Sequence, residues 1–186
     1  MPFPDLAAPA PLIEPTAPSV SLDTRHFRNT LSQFATGVAV ITTITPAGDF
    51  LGLTATSFNS VSLTPPLVLW SLGRHGSSLV AFSACNYYVI NVLAADQAWL
   101  ASRFASKLTD RFEGVPYTLS ATGMPILQGA VAWFECSNRS RYPEGDHVIF
   151  VGETMHCALA PRPPLIFHGG EFVSTAALPS GADRSV

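Results

Sequence analysis

The chain has 186 residues, of which 47% are hydrophobic and only 12% are charged, and its formal net charge is -3. This length suits one domain with tails, large enough to bury a core without disulfides. The lack of a basic excess argues against nucleic acid and membranes as partners. Because charged residues are depleted from interface cores, the low charge content also predicts that a partner subunit covers part of the surface.

The three cysteines favour a reducing compartment. Cys85, Cys136 and Cys157 are an odd number and show no Cys-x-x-Cys spacing. Neither a zinc site nor a secreted disulfide framework is therefore indicated, and the cytoplasm is the expected location.

The two ends of the chain differ in composition from its middle. Residues 1–22 carry prolines spaced among alanines, which block helices and sheet ladders, and they lack the basic start and unbroken apolar core of a signal peptide. They are expected to form a disordered arm, with a strap across a partner subunit as the alternative. Residues 176–186 are small and polar and predict a flexible tail, which leaves 23–175 as the folded domain.

The first predicted element is a helix that begins at an Asp23 N-cap. Its apolar residues Phe27, Leu31 and Phe34 are spaced by three to four, which predicts one buried face, and Gly37 is expected to end it.

Strands dominate the rest of the chain. A hairpin is expected from residues 38–45 and 50–55, because β-branched residues flank the turn Pro46-Ala47-Gly48-Asp49. The further predicted elements are a strand at 67–72, a helix at 77–84, a strand at 87–93, a helix at 95–106, strands at 130–138 and 147–158 joined by a polar loop at 139–146, and a hairpin at 164–174 around Gly169-Gly170.

This order of elements predicts a mainly β fold, a closed or nearly closed antiparallel β-barrel with a few short helices. A doubly wound α/β fold is disfavoured, because strands and helices do not alternate and no Gly-x-Gly-x-x-Gly follows a strand.

A hydroxyl-rich segment separates two apolar strands. Five Ser and Thr side chains lie between Thr54 and Ser62, alternating in part with apolar residues, so one face of an extended segment can hydrogen-bond while the other packs inward. Small hydroxyls and backbone groups are suited to holding a flat heterocycle. The alternative is a strand whose hydroxyls face water.

A second polar element follows about twenty residues later. Ser77 and Ser78 come after Gly76 at a predicted helix start, with Arg74 close by, and free amides at a helix N-terminus favour a phosphate. A ring site followed by a phosphate site favours a nucleotide-like ligand, although Ser77 could equally be an ordinary N-cap.

The third element is the triplet Gly145-Asp146-His147. His147 could donate a hydrogen bond to a carboxamide or phosphate while Asp146 fixes its tautomer. The alternative is a plain turn that precedes a strand.

Other chemically capable residues have simpler explanations. The histidines show no metal-ligand spacing, and Cys136 is expected to be a small buried hydrophobe. Glu135 and Glu153, on neighbouring predicted strands, could do acid/base work or be outward-facing solvated groups. No nucleophile or acid/base constellation stands out.

From about Phe27 to Ser174 the sequence resembles the short-chain flavin reductase family. The likeness rests on the hydroxyl segment, on Phe-Ala-Thr-Gly-Val at 34–38, Asn91-Val92-Leu93, Arg103-Phe104-Ala105, Asp110-Arg111-Phe112 and the Gly-Asp-His triplet. It implies an FMN-binding split barrel. The residues expected to bind cofactor are Thr54, Ala55, Thr56, Ser57, Ser71, Leu72, Arg74, Ser77, Ser78, Asn91, Phe104, Gly145, Asp146 and His147.

By this resemblance the expected activity is hydride transfer from NADH or NADPH to FMN or FAD. Positioning rather than a catalytic side chain would promote the transfer. The family also implies a homodimer and a separate oxygenase that receives reduced flavin. A flavin-holding electron carrier on the same fold and a non-catalytic interaction module are the alternatives. Thr56 stands where many relatives carry asparagine, which puts the flavin affinity in question.

Overall fold

The computed structural model describes residues 23–175. Its strands are β1 (Thr36–Gly37), β2 (Ala39–Ile44), β3 (Phe50–Ala55), β4 (Asn59–Leu63), β5 (Pro66–Gly73), β6 (Tyr87–Val92), β7 (Tyr117–Leu119), β8 (Pro125–Leu127), β9 (Ala132–Glu144), β10 (His147–Leu159), β11 (Ile166–His168) and β12 (Glu171–Val173). Its helices are α1 (Thr24–Leu31), α2 (Leu79–Ala84) and α3 (Ala98–Ala105), the last preceded by a 3₁₀ turn at Ala95–Gln97. The fold is mainly β with a few short helices, as predicted.

Seven antiparallel strands form one sheet in the order β3-β2-β6-β9-β10-β5-β4. The strands β3 and β4 are its two edges and do not pair with each other. The sheet curls until the end of β3 approaches β5, where the Ser57 hydroxyl donates to the Ser71 carbonyl at 3.2 Å and accepts from the Ser71 amide at 2.9 Å. The result is a barrel that stays open along one seam.

Aromatic side chains fill the inside of the barrel. Trp70 is fully buried and stacks on Phe150 with ring centroids 4.6 Å apart. Phe82 and Tyr88 meet the same indole edge-on, at 5.0 and 5.7 Å. Offset and edge-on pairs of this kind add to the burial energy of the rings, so this cluster forms the centre of the main core.

A second core lies on the outer face of β2, β3 and β6, under α3. It includes Val40, Leu100, Phe104 and Phe112, all of which are buried. The small hairpin of β7 and β8 packs against the same face, because the Asn91 side chain accepts a hydrogen bond from the Leu127 amide at 2.8 Å.

The first helix confirms one prediction and corrects two. Asp23 is its N-cap and accepts from the amides of Arg25 and His26. The helix ends at Leu31, however, well before Gly37, and its apolar face is not buried within the described chain. Phe27, Leu31 and Phe34 are 47%, 56% and 73% exposed.

The β9–β10 hairpin is longer than predicted. Residues 139–144 continue β9, so the expected polar loop at 139–146 is wrong, and the turn is made by Gly145 and Asp146 alone. This part of the strand extends beyond the core, so its side chains are mostly polar and exposed and do not show the apolar pattern that predicts a strand. The strand β4 and the β7–β8 hairpin were also not predicted; β4 and β7 contain no buried residue, although β8 buries two of its three.

The hairpins at β2–β3 and β11–β12 are confirmed. Gly48 has a φ of 92° in the β2–β3 turn, a left-handed conformation that favours glycine. The arm predicted for residues 1–22 and the tail predicted for 176–186 lie outside the described residues. Within the described part of the chain, none of the helices is both long and apolar enough to cross a bilayer.

Glu135 is buried, which excludes the outward-facing alternative for this residue, whereas Glu153 is partly exposed in an ion pair with Arg139. One carboxylate oxygen of Glu135 accepts from the Ser120 hydroxyl at 2.5 Å and from the amide and hydroxyl of Thr122 at 2.9 and 2.6 Å. Burial raises the pKa of Glu135, but these hydrogen bonds outweigh it and hold the pKa below its usual value. Glu135 thus fastens the β7–β8 turn to β9.

We predict that Glu135→Ala lowers the free energy of unfolding by about 2–4 kcal/mol at neutral pH, because three partly buried donors lose a charged acceptor. Since the folded-state pKa is depressed, the carboxylate contributes stability above the ordinary pKa of 4.5 and loses it as the pH falls further. Denaturant unfolding should therefore show that the difference in free energy of unfolding between the wild type and Glu135→Ala becomes smaller as the pH falls.

The control is Glu153→Ala, which removes a partly exposed ion pair and should cost less than about 1 kcal/mol. The assigned role of Glu135 would be contradicted if both variants lost the same free energy of unfolding. It would also be contradicted if the difference between the wild type and Glu135→Ala did not change with pH.

Candidate active site

The hydroxyl segment lies at the end of β3, on the open seam of the barrel. Among the described residues, no strand pairs with the outer edge of β3, so alternate backbone amides and carbonyls along this edge point away from the sheet. These groups can hydrogen-bond a ligand placed in the seam.

The side chains of this segment are less available than predicted. The Thr54 hydroxyl donates to the Ala101 carbonyl of α3 at 2.7 Å, and Ser57 is bonded to Ser71 across the seam. Ala55 points into the core and is 7% exposed. Thr56 is exposed and lines a small pocket of about 240 Å³ beside Phe34. The segment therefore offers backbone groups and Thr56, while its other hydroxyls hold the scaffold together.

A cleft of about 320 Å³ lies beside β3. It is lined by Leu51 and Gly52 of β3, by Ser77 and Ser78, and by residues 107–109 together with Arg111 and Phe112, which follow α3. We call it the cationic cleft, because it brings Lys107 and Arg111 to the two serines. The predicted phosphate residues Ser77 and Ser78 thus lie beside the middle of β3, whereas none of residues 54–57, the predicted ring segment, lines this cleft.

The helix after the serine pair is shorter than predicted. The α2 helix begins at Leu79, so Ser77 lies before it, and Ser78 is the N-cap without using its side chain to cap. Ser77 is exposed and Ser78 is 8% exposed. With only six residues, α2 supplies little dipole, so the positive charge of the cleft comes from side chains.

Lys107 and Arg111 were not among the predicted site residues. Lys107 is the only lysine of the chain, and it takes part in none of the ion pairs among the described residues. Arg111 donates to the Gly52 carbonyl at 2.8 Å, while its Nε is buried with no hydrogen-bond partner in the described chain. An unpaired buried donor is costly, and an anionic ligand would offset that cost. The sequence feature that could have indicated Lys107 is its position as a single lysine just after an amphipathic helix.

Arg74 lies elsewhere than expected. Its amide donates to the Asp146 carbonyl at 2.8 Å and its guanidinium to the Gly145 carbonyl at 3.3 Å. Arg74 therefore joins the Gly-Asp-His turn instead of lining the cationic cleft. Ser71 and Leu72 lie on β5, between the seam and this turn.

His147 begins β10 and pairs with Gly73 of β5. Its Nδ1 lies 2.7 Å from the Asp146 carboxylate, and both side chains are largely exposed. Hydrogen bonding and the charge of His147 lower the pKa of Asp146. In the neutral ring Nδ1 therefore carries the proton, which leaves Nε2 free to face a ligand. The predicted tautomer-fixing pair is present.

Asn91 and Phe104 are placed inside the fold rather than at the seam. The Asn91 side chain is fully buried, donates to the Val40 carbonyl and the Thr42 hydroxyl at 3.1 Å each, and accepts from Leu127. Phe104 is 1% exposed in the second core. Both side chains are already occupied, so a cofactor contact through either one is not supported by this geometry.

Among residues 23–175, neither Cys136 nor a metal cluster adds a reactive group to the site. Burial raises the pKa of the Cys136 thiol to about 12, so it stays protonated and acts as a small apolar residue. Within residues 23–175, no three His, Cys, Asp or Glu side chains are grouped so that they could hold a metal ion.

Comparisons with known proteins identify the family of the chain. Residues 31–176 match the model of the family described as flavin reductase like domain. The chain is 43% identical over 150 residues to the FMN reductase (NADH) SmoA of Agrobacterium fabrum, which covers 81% of this chain and 85% of that protein. It is 37% identical over 153 residues to HsaB of Rhodococcus jostii, the reductase subunit of a flavin-dependent monooxygenase, covering 82% and 78%.

A solved structure shows the same fold. The NADH:FAD oxidoreductase SgcE6 of Streptomyces globisporus, in complex with NAD and FAD fragments, superposes with a TM-score of 0.80 at 37% identity, covering 87% of this chain and 96% of that one. Sequence, fold and relatives agree, and the chain belongs to the flavin reductase-like family of split-barrel proteins.

Proposed function

We propose that this protein is a flavin reductase that transfers hydride from a reduced nicotinamide cofactor, NADH or NADPH, to FMN or FAD. The observation that carries the proposal is the position of the cationic cleft beside the unpaired edge of β3. A flavin nucleotide needs both features, since its ring edge seeks amides and carbonyls and its phosphate seeks cations and hydroxyls.

The residues present suit such a ligand. Lys107 and the hydroxyls of Ser77 and Ser78 would hold the phosphate, and the buried Nε of Arg111 offers a further donor to an anion. Backbone groups of residues 54–57 would orient the ring. When bound, the flavin supplies the redox chemistry by accepting hydride at N5 from C4 of the nicotinamide.

The chain itself contributes position and charge. His147, held by Asp146, would orient the nicotinamide carboxamide or a phosphate through Nε2. Because the side chains of His147 and Asp146 are both largely exposed, this pair would act at the rim of the site, where it selects and aligns the incoming nicotinamide cofactor. No side chain needs to exchange a proton with the reacting atoms, because hydride passes directly from one ring to the other and the chain has only to position the two rings.

Partners follow from the relatives and from the surface. HsaB is named as a monooxygenase reductase subunit, and we propose that reduced flavin from this protein likewise goes to a separate oxygenase. The exposed apolar side chains of Phe27 and Leu31 on α1, and of Phe34 just after it, support a homodimer that covers them. The three cysteines are free, which supports a cytoplasmic location.

The first test is oxidation of NADH or NADPH by the purified protein with FMN, FAD or no flavin, followed by the loss of nicotinamide absorbance. We expect turnover that depends on added flavin. A protein that copurifies with flavin but gives no turnover would be a carrier instead. A colourless, inactive protein would contradict flavin binding altogether.

We expect His147→Ala to raise the KM for the nicotinamide cofactor about fivefold to tenfold, while flavin affinity changes less, because one oriented hydrogen bond is lost at the rim. Steady-state kinetics with each substrate varied in turn will measure the KM for the nicotinamide cofactor and the KM for the flavin separately. His156→Ala, an exposed histidine farther along β10, is the matched control. Unchanged constants for His147→Ala would remove it from the site.

Lys107→Ala should raise the KM for FMN about threefold to tenfold but leave riboflavin, which has no phosphate, nearly unaffected. Lys107→Arg keeps the charge and should retain most of the affinity. The measurement is flavin-dependent NADH oxidation with either flavin as acceptor. Parallel losses for FMN and riboflavin would mean that Lys107 does not contact the phosphate.

A further inference from the structure

One segment supplies both cationic side chains of the cationic cleft. We call this segment, residues 107–113, the cleft loop, and it carries Lys107 and Arg111. It begins directly after Ser106, the C-cap of α3, and its first four residues are exposed. Exposed loops with few packed contacts open easily. Whatever holds the backbone of this loop therefore determines where the two charges lie.

Arg103, in the last turn of α3, holds the backbone of the cleft loop. Its Nε donates to the Arg111 carbonyl at 2.8 Å, and its Nη2 donates to the carbonyls of Asp110 and Glu113 at 3.3 and 2.7 Å. Three carbonyls of one turn thus converge on a single guanidinium. Arg103 forms no ion pair among residues 23–175, so these carbonyls are the partners of its charge. The planar fork of a guanidinium suits this arrangement better than the ammonium of a lysine.

A carboxylate within the turn completes the arrangement. Asp110 accepts through Oδ1 from the amides of Phe112 and Glu113 at 2.9 and 3.1 Å. This carboxylate binds the backbone amides, whereas the guanidinium from α3 binds the carbonyls. On the other side of the turn, the Arg111 side chain reaches β3, where it donates to the Gly52 carbonyl at 2.8 Å. The turn is therefore held at both ends, by α3 and by β3.

We propose that Arg103 is a positioning residue for recognition of the flavin phosphate. Arg103 is not one of the residues that line the cationic cleft, and it acts by holding the cleft loop in the conformation that brings Lys107 and Arg111 to the phosphate. Without the guanidinium, three carbonyls lose their donor and the loop opens more often. The apparent affinity for a flavin that carries a phosphate then falls with the population of the closed loop. The inference rests on the proposed function, because that function makes the flavin phosphate the ligand of this cleft.

Opening of the cleft loop can be measured without any ligand. Lys107 is the only lysine of the chain, so a lysine-specific endoprotease can cut the chain at one place, inside this loop. When opening and closing are fast, the rate of such cleavage follows the population of the open form. We expect ligand-free Arg103→Ala to be cut at least about fivefold faster than the wild type. Arg103→Lys should be cut at an intermediate rate, because it keeps the charge but not the planar fork.

The matched control is Arg162→Ala. Arg162 also donates to a backbone carbonyl, that of Gly129 at 2.6 Å, and it pairs with Asp96, but it lies outside the lining of the cleft. Its removal should leave the rate of cleavage at Lys107 within about twofold of the wild type. Circular dichroism verifies that each variant is folded, and if Arg103→Ala does not fold, Arg103→Lys provides the comparison. Equal cleavage of the wild type and the folded Arg103 variants would overturn the positioning role.

Kinetics separate positioning of the phosphate site from a general loss of stability. In Arg103→Ala the KM for FMN should rise about fivefold to twentyfold, while the KM for riboflavin, which has no phosphate, changes less than about twofold. A variant that was merely less stable would lose activity equally with both flavins. Parallel rises of the two KM values would therefore contradict a role of Arg103 in phosphate recognition.

The proposed function and the positioning role fail in different ways. FMN should protect wild-type Lys107 from the protease, and riboflavin should protect it less. If neither flavin protects the wild type or supports NADH oxidation, the proposed function is refuted, while faster cleavage of ligand-free Arg103→Ala would still show that Arg103 holds the loop. If FMN protects the wild type and supports turnover, but the Arg103 variants are cut and use FMN as the wild type does, the positioning role alone is refuted.

Discussion

The open seam of the barrel is the constraint on which the site depends. Seven strands curl far enough for the Ser57 hydroxyl to bond both backbone groups of Ser71, yet within residues 23–175 the outer edges of β3 and β4 pair with no strand. A closed barrel would satisfy the backbone of β3 internally and leave nothing to offer a ligand. An edge left open without occupation would invite pairing with other chains, so a bound planar ligand or partner also protects it.

The second core determines what faces the seam. Gly52 has no side chain, and a Cβ there would lie 2.5 Å from a ring carbon of Phe104. The missing side chain lets α3 approach β3 closely, and the segment after α3 then brings Lys107 and Arg111 to the strand. The Arg111 bond to the Gly52 carbonyl fixes this approach. One glycine thus connects packing in the core with charge at the site.

The hydroxyl segment shows what a sequence pattern can predict about a site and what it cannot. The segment lies at the seam, where its backbone groups are available to a ligand, but Thr54 and Ser57 use their hydroxyls to hold the scaffold together. Spacing along a strand gives the face of each side chain, not the partner it meets there. Arg74 illustrates the same limit, because the β5–β10 register carries it to the Gly145 turn instead of the cleft.

The sequence by itself determined the local features: the Asp23 cap, the β2–β3 turn at Gly48, most strands and the mainly β class. Each of these features depends on neighbours within a few residues along the chain, so each can be predicted from the sequence. Only the tertiary structure decided that Glu135 is buried, that the face of α1 is exposed, and that Lys107 stands beside Ser77. These outcomes depend on which distant strands pair and in which register, and no local pattern encodes that.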